Sequence, residues 1–236
     1  MEPAPETPLP EVAVNFALTW DGRVSTRART RADFSSPRDK HRLLELRAGA
    51  DAVVAGRVTV ETERMRMSLP DAELRADRVR RGLPPEPLRV VVSGSGALDP
   101  AARIFQTDAP PLLVFSTEQM PVPTRAALAA ARATLHLGPG PRVDLRGMLA
   151  LLRGRYGVRR VMCEGGPGLL RSLLEAGLVN EINVTFCPRV FGGAEAPALT
   201  GGPGSFFPSA VECRLESLEP LGGECFARYS VISHNP

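Results

Sequence analysis

The sequence contains almost no lysine, although its net charge is positive. Lys40 is the only lysine among 29 basic residues, and the net charge is +3. Arginine suits bidentate binding of phosphate and carboxylate groups better than lysine does. The arginines are scattered along the chain and do not gather in one stretch, so the sequence does not favour binding to nucleic acid. We therefore expect no nucleic-acid partner.

The sequence also lacks the cysteine and histidine spacing of a metal site. No two of its four cysteines form a C-x-x-C pair, and its three histidines do not cluster near them. Zinc is therefore not expected. No apolar run approaches the roughly 18 residues of a membrane helix, and the first residues lack the basic-then-apolar order of a signal peptide. We expect reduced thiols, no membrane partner and a cytoplasmic location.

The composition is typical of a soluble globular protein. Of the 236 residues, 43% are hydrophobic and 23% are charged, which is enough to build a sizeable core. Residues 1–10 are rich in proline and acid and are predicted to be a disordered lead-in. Residues 11–236 show no repeat and no internal linker, so we expect a single domain there.

Apolar strand patterns alternate with helical patterns through the middle of the chain. Strands are predicted at 12–20, 23–26, 50–56, 88–96, 111–117, 133–138, 158–163, 181–193, 211–221 and 224–232. Helices are predicted at 37–48, with Gly49 following the end, 71–81 (as a surface helix), 123–132, 144–157 and 167–177. This order predicts an α/β fold with a mainly parallel central sheet, helices on both faces and a C-terminal antiparallel pair.

Four predicted strands end in small or hydroxyl residues. Their sequences are VVAGRVT, VVSGSG, VFST and MCEGGPG. Ligands of open α/β sheets bind at the carboxyl ends of the strands, where small residues let a ligand approach the backbone. Such exits also occur where no ligand binds, and the pattern leaves both interpretations open.

The most specific of these exits is the stretch CEGGPGLLRSLL, which begins at Cys163. Gly165 and Gly166 permit positive φ and remove Cβ atoms, and the helix that follows presents free N–H groups to an anion. It does not have the G-x-G-x-x-G spacing of the usual dinucleotide fingerprint. The alternative is a tight turn in which glycine only satisfies geometry and Glu164 is solvated.

Other polar residues carry weaker signals. Asp21 and Gly22 indicate a hairpin turn. The arginines of 27–31 and Arg47 could reach a phosphate, although surface arginines usually bind nothing specific. Glu61 and Glu63 are candidate polar contacts, with a charged helix start as the alternative.

Taken together, these segments resemble the reductase domain of riboflavin biosynthesis from about residue 12 to the C-terminus. The resemblance rests on NFALTWDGRVST, LRAGADAVVAGRVTV, RVVVSGSGALDP and, most specifically, VMCEGGPGLLRSLLEAGLVNEINVTFCPRVFGG. It implies a dihydrofolate-reductase-like fold, NADPH as cofactor and a pyrimidine ribosylamine 5′-phosphate as substrate. Its ribosyl side chain would be reduced to ribityl. It also implies a homodimer, which the need to cover an exposed edge of the C-terminal strands favours as well.

The resemblance assigns site residues by position. Glu63 falls where a functional aspartate lies, and Arg31, Arg47 and Glu164 fall at substrate contacts. Matching cofactor contacts are Gly56, Thr59, Ser93, Gly165, Gly166, Pro167, Gly168, Leu169, Leu170 and Ser172. On this interpretation the glycine turn faces the cofactor phosphates, while Glu164 faces an uncharged part of the substrate.

The sequence departs from the family pattern at Glu63, which is one methylene longer than aspartate, and at Arg23, where lysine is frequent. The arginine-rich stretch 64–89 is also longer than usual. Neither an H-x-E nor a P-C-x-x-C signature of the zinc deaminase that many members carry occurs here, so we expect a reductase alone. Two alternatives remain: a reductase of another heterocycle, such as a pterin or folate, and a non-catalytic nucleotide-binding module.

Overall fold

The structure is a computed structural model that describes residues 8–26, 34–106, 112–201, 207 and 209–232. These residues form one nine-stranded sheet. Its strands are β1 (Glu11–Thr19), β2 (Ala52–Gly56), β3 (Leu88–Ser93), β4 (Leu112–Thr117), β5 (Thr134–Gly138), β6 (Arg160–Cys163), β7 (Glu181–Cys187), β8 (Cys213–Leu221) and β9 (Glu224–Val231). The predicted lead-in lies mostly outside the described residues.

The strand order is β5-β4-β3-β2-β6-β1-β7-β9-β8. Neighbouring strands from β5 to β7 are parallel, and β9 runs antiparallel to both β7 and β8. The predicted α/β architecture, with its C-terminal antiparallel pair, is therefore confirmed. β1 is a central strand, because it lies between β6 and β7.

Six α-helices lie among the described residues. They are α1 (Pro37–Ala48), α2 (Arg57–Thr62), α3 (Ala72–Arg80), α4 (Val122–Ala130), α5 (Leu145–Tyr156) and α6 (Pro167–Glu175), and a 3₁₀ turn spans Arg103–Phe105. The sheet is covered on both faces because side chains alternate along each strand. On β2, Val54 packs in a core with α5 and α6, whereas Val53 packs in a core with α2 and α4. α1 shares the second face, where Leu46 packs on Ala13 and Met162.

The predicted return strand at 23–26 is wrong. Arg23 makes an isolated bridge to Ala198 and no strand follows it. The predicted turn does form, with Gly22 at φ 75°. Its Asp21 carboxylate accepts hydrogen bonds from the Thr19 hydroxyl and from the backbone N–H groups of residues 191 and 192, which lower the pKa of Asp21 to about 2. Hydrogen bonds therefore connect this turn to the loop after β7.

The arginine-rich stretch 64–89 contains the predicted surface helix as α3, but it also reaches the core. Met67 and Leu69 are buried, and Arg78 has no exposed surface. The Arg78 guanidinium donates hydrogen bonds to the carbonyls of Ala48 and Ala50 at the end of α1, and burial lowers its pKa. Arg78 therefore satisfies carbonyls that the end of a helix leaves without partners.

Two negative findings apply to the described residues. None of their helices has both the length and the apolar character needed to span a membrane. None of their histidine, cysteine and carboxylate side chains gather into a group of three that could bind a metal ion.

Candidate active site

A cleft opens at the carboxyl ends of β1, β2, β3 and β6. Its volume is about 1260 Å³, larger than the typical 300–1,000 Å³ of a small-molecule site. Its walls come from the turns after β2, β3 and β6, from one side of α1, from residues 142–146 and from the start of α6. The cleft is therefore large enough for two ligands side by side.

Three of the four predicted strand exits line this cleft, and the exit of β4 does not. The Ser116 hydroxyl donates a hydrogen bond to the Ser93 carbonyl at 2.6 Å, and the Thr117 hydroxyl donates to the Gly94 carbonyl at 3.0 Å. The hydroxyl groups of β4 therefore brace the turn after β3. Ser93 lines the cleft and accepts a hydrogen bond from the Gly96 N–H through its own hydroxyl oxygen.

The turn between β6 and α6 is held against the end of β2. The Gly56 N–H donates to the Gly165 carbonyl at 2.7 Å. Gly165 has φ 92°, and a Cβ there would lie 2.9 Å from the Phe16 ring. Gly166 has an ordinary φ of −87°, but a Cβ there would collide with the Thr59 hydroxyl. Positive φ is thus needed at Gly165, whereas Gly166 must be small because Thr59 approaches so closely.

The first turn of α6 presents unpaired backbone donors to the cleft. Pro167 occupies the first helical position, and the N–H groups of Gly168 and Leu169 have no backbone partner among the described residues. Gly166, Pro167, Gly168, Leu169 and Ser172 all line the cleft. Free N–H groups at a helix start attract an anion such as a phosphate group. The turn is therefore suited to hold the phosphates of a dinucleotide.

Two residues assigned to the cofactor by resemblance do not line the cleft. Gly165 is buried, and Leu170 is fully buried in the core that α5 and α6 cover. The Leu170 N–H donates to the Gly166 carbonyl, so it is not available to a ligand. The Ser172 hydroxyl donates to the Gly168 carbonyl at 3.0 Å.

Arg47 and Glu164 form a buried ion pair at the floor of the cleft. Arg47 Nε lies 2.5 Å from Glu164 Oε1 and Arg47 Nη2 lies 2.7 Å from Oε2, while Nη1 donates to the Ser68 carbonyl. Burial alone would lower the pKa of Arg47, but the charge of Glu164 more than offsets it and the pKa is raised. Two of the three residues predicted to contact substrate, Arg47 and Glu164, thus line the cleft, but each is already paired with the other.

The remaining predicted residues have different environments. Glu63 is the C-cap residue of α2 and lines the cleft. Gly56 and Thr59 also line it. Glu61 instead pairs with Arg57 and accepts the Asp99 N–H, so it serves the local structure. Arg31 and the other arginines of 27–31 lie outside the described residues.

Cysteine chemistry does not contribute to this site. Burial raises the pKa of Cys163 to about 12, and burial together with nearby carboxylates does the same for Cys187. At neutral pH both thiols are protonated, and a protonated thiol is a poor nucleophile.

Among the polar residues of the cleft that sequence reasoning missed are Asn15, Asp39, Arg142 and Arg146. Asp39 could have been found from helical spacing, because Asp39, Leu43 and Arg47 recur every four residues on one side of α1. Arg142 and Arg146 flank the start of α5, in a proline- and glycine-rich stretch that gave no signal of its own.

Comparison with known proteins places the chain among reductases. A family model described as the RibD C-terminal domain matches residues 10–226. A 2,5-diamino-6-ribosylamino-4(3H)-pyrimidinone 5′-phosphate reductase from Archaeoglobus fulgidus is 35% identical, over 90% of this chain and 94% of that protein. A reductase of the same name from Methanothermobacter thermautotrophicus is 34% identical, over 94% of this chain and 98% of that protein.

A solved structure supports the fold. A pyrimidine reductase-like protein from Corynebacterium diphtheriae superposes with a TM-score of 0.82 at 22% identity, covering 95% of this chain and 93% of that chain.

Proposed function

This chain belongs to the RibD C-terminal domain family, and on that premise we propose that it is a reductase of riboflavin biosynthesis. It reduces the ribosyl side chain of a pyrimidine ribosylamine 5′-phosphate to ribityl, with NADPH as the reductant. The observation that carries this proposal is one cleft combining an anion-binding helix start with a second polar region around Arg47 and Glu164.

The cofactor side of the cleft is formed by the two linked turns after β2 and β6. Gly166 lacks the Cβ that would collide with Thr59, and the N–H groups of Gly168 and Leu169 are open to a phosphate. These groups fit a dinucleotide pyrophosphate, with Ser93 on the neighbouring turn as a further polar contact. When bound, NADPH supplies a hydride to C1′ of the ring-opened ribosylamine, whose nitrogen gains a proton.

Two exposed arginines favour NADPH over NADH. Arg142 and Arg146 line the cleft beside α6. NADPH carries one phosphate more than NADH, and guanidinium groups bind phosphate in a bidentate manner.

The substrate side is formed by α1, α2 and the end of β6. Arg47 and Glu164 lie there as a pair whose orientation is fixed by two short hydrogen bonds. A fixed guanidinium and carboxylate can orient a polyhydroxylated chain without a large loss of entropy on binding. Glu63 lines the cleft at the end of α2, where we assign it the proton-handling role of the family's aspartate. Arg31 is proposed as a further substrate contact.

A direct assay tests this function. The protein is incubated with NADPH and 2,5-diamino-6-ribosylamino-4(3H)-pyrimidinone 5′-phosphate, and the loss of reduced-nicotinamide absorbance is followed. We expect turnover and a product heavier by two hydrogen atoms in mass spectrometry. The matched variant Glu63→Gln should bind NADPH as the parent does and lose at least about tenfold in kcat.

Other outcomes of this assay would contradict the proposal. Absence of both turnover and NADPH binding would do so. Turnover of a pterin or folate in place of the pyrimidine would favour a different reductase. Thermal stabilisation by NADPH without turnover of any candidate would favour a non-catalytic nucleotide-binding module.

We also propose three properties of the whole protein. Residues 11–236 form one domain, because all nine strands belong to a single sheet. The protein is a homodimer, because the terminal strand β8 is exposed along its whole length. It acts in the cytoplasm, because its substrate and cofactor are phosphorylated metabolites.

A further inference from the structure

Asp39 is a largely buried residue of the cleft whose carboxylate forms no ion pair among the described residues. Asp39 is 7% exposed, and it lines the cleft. Its backbone N–H donates to the Ser36 hydroxyl oxygen, but its carboxylate has no hydrogen-bond or ion-pair partner among the described residues. The Asp39 oxygens are not among the fully buried side-chain atoms that lack a partner, so they are reached from the cleft. A carboxylate placed in this way can accept hydrogen bonds from donors of a ligand.

The position of Asp39 is fixed by its surroundings. Ser36 caps α1, and the Ser36 N–H and hydroxyl donate to the buried Glu224 carboxylate at 2.8 and 2.5 Å. Arg47 lies two helical turns further along α1, about 12 Å away by helix rise. Asp39 and the Arg47–Glu164 pair therefore mark two separated points of the same cleft, as a ligand with a base at one end and a phosphorylated chain at the other requires.

Asn15 lies on the same side of the sheet as α1. Ala13 packs under α1, and side chains two residues apart share a face, so the Asn15 side chain points toward α1 as well. Asn15 lines the cleft, and its amide has no side-chain partner among the described residues. An amide offers both a donor and an acceptor, whereas an ionised carboxylate only accepts. Asp39 is thus the group that can discriminate between ligands.

We propose that Asp39 is the specificity-determining residue that binds the ring N–H and the adjacent exocyclic amino group of a 2-aminopyrimidinone. This inference rests on the proposed function and names which pyrimidine the site selects. The two carboxylate oxygens accept one hydrogen bond each from these neighbouring donors. In the deaminated substrate, a carbonyl oxygen replaces the amino group. It would face a carboxylate oxygen with no hydrogen between them, so the site selects the pyrimidine before deamination.

The substitution Asp39→Asn tests this assignment because it changes one oxygen into a donor at constant shape. The amide oxygen still accepts from the ring N–H, while the amide NH₂ donates to the carbonyl of the deaminated ring. We expect the unmodified protein to favour the amino form in kcat/KM by about 10- to 100-fold, the range expected for one bidentate contact. Asp39→Asn should abolish or reverse that preference.

Both forms of the substrate are assayed with NADPH, and binding of the two non-reducible ribitylamino products is measured by calorimetry without cofactor. Glu45→Gln is the matched control, because it removes one negative charge from the exposed side of the same helix. It should keep the parent preference. Asp39→Ala is made in parallel, and thermal unfolding of each variant is recorded, so that a folding defect in one variant does not decide the result.

The outcomes are separable. An unmodified protein that binds the amino and carbonyl forms equally overturns the assignment, and so does an Asp39→Asn protein that keeps the parent ratio. If the unmodified protein turns over neither substrate, the proposed function fails, but the calorimetric ratio still decides the role of Asp39.

Discussion

Arg47 and Glu164 are far apart in the sequence but act as one unit in the cleft. Their side chains are only 10% and 4% exposed, and each guanidinium–carboxylate contact is shorter than 3 Å. The desolvation of such a pair offsets much of its attraction, so the pair adds little net stability. Removing one partner is different, because it leaves the other charge buried and unpaired.

We therefore predict that Glu164→Gln lowers both stability and substrate use. The free energy of unfolding should fall by about 2–4 kcal/mol, because Arg47 keeps a neutral acceptor but loses its counter-charge. The kcat/KM for the pyrimidine phosphate should fall at least tenfold, whereas the Kd for NADPH should change less than twofold. Denaturant unfolding and NADPH titration measure these quantities.

The exposed pair of Arg81 and Asp77 provides the control. Its side chains are 46% and 44% exposed, so Asp77→Asn should change stability by less than about 0.5 kcal/mol. Equal losses of substrate use and NADPH affinity in Glu164→Gln would show that the pair does not belong to the substrate side alone.

The resemblance to a family predicted that Arg47 and Glu164 each contact the substrate, but it did not predict that they contact each other. Nothing in a single sequence pairs two residues on different elements, and the ion pair became visible only with the fold. Asp39 was missed for another reason. An acid in the first turn of a helix already has an explanation in the helix dipole, so only its spacing from Leu43 and Arg47 on one side of α1 indicates that its carboxylate lies on the cleft side.

At the scale of elements, the turns after β2 and β6 are joined to each other and together support the start of α6. The Gly56 N–H bonds to the Gly165 carbonyl, and the Thr59 side chain of α2 rests against Gly166. The start of α6 is therefore positioned by α2 and β2, which lie more than a hundred residues earlier in the chain.

This support predicts the effect of Gly166→Ala. Gly166 has an ordinary φ, so the new methyl group causes no backbone strain, but it collides with the Thr59 hydroxyl and pushes the two turns apart. We expect a loss of about 1–3 kcal/mol in unfolding free energy and at least a tenfold increase in the Kd for NADPH. Thermal unfolding and fluorescence titration measure both.

Gly154→Ala serves as the matched variant. Gly154 lies within α5, and a Cβ there meets nothing within 4 Å. Alanine should stabilise that helix slightly without affecting NADPH binding. An unchanged Kd in Gly166→Ala would contradict the placement of the cofactor at this turn.

Most elements could be predicted from periodicity, because each has a clear pattern and a boundary residue. Ser36, Pro37 and Gly49 bound α1 where the sequence places its ends. α2 was missed because its six residues, RVTVET, include β-branched side chains and directly continue a strand. The strand predicted after Gly22 failed because Asp21 bonds to residues 191 and 192, a long-range contact that overrides the local hairpin signal.

At the scale of the whole molecule, the sheet is unprotected at its C-terminal edge. β8 is exposed along its entire length, and its Leu215, Leu218 and Leu221 are 45–55% exposed. An exposed apolar edge strand is a template for pairing with another chain. A second copy of this chain covering β8 would account for these leucines.

If the protein is the homodimer proposed above, we predict that Leu218→Glu converts it into a monomer. The charge would be buried in the interface, while the fold of each protomer should tolerate it because Leu218 is 55% exposed. Size-exclusion chromatography with light scattering at micromolar concentration measures the mass.

Val79→Glu, on the exposed side of α3, is the corresponding control and should remain dimeric, since Val79 is 56% exposed but lies on a helix away from β8. If the unmodified protein is itself a monomer, or if Leu218→Glu remains a dimer, the interface does not involve β8.

The central position of β1 has a consequence for the synthesis of the protein. β1 is synthesised long before its neighbours in the sheet, β6 and β7. α1 is likewise made long before Glu224 of β9, which accepts hydrogen bonds from its capping residue Ser36. In the nascent chain, β2 to β5 can therefore fold while β1 still lacks its partner strands and exposes its apolar side chains. We expect chaperones to bind β1 during translation.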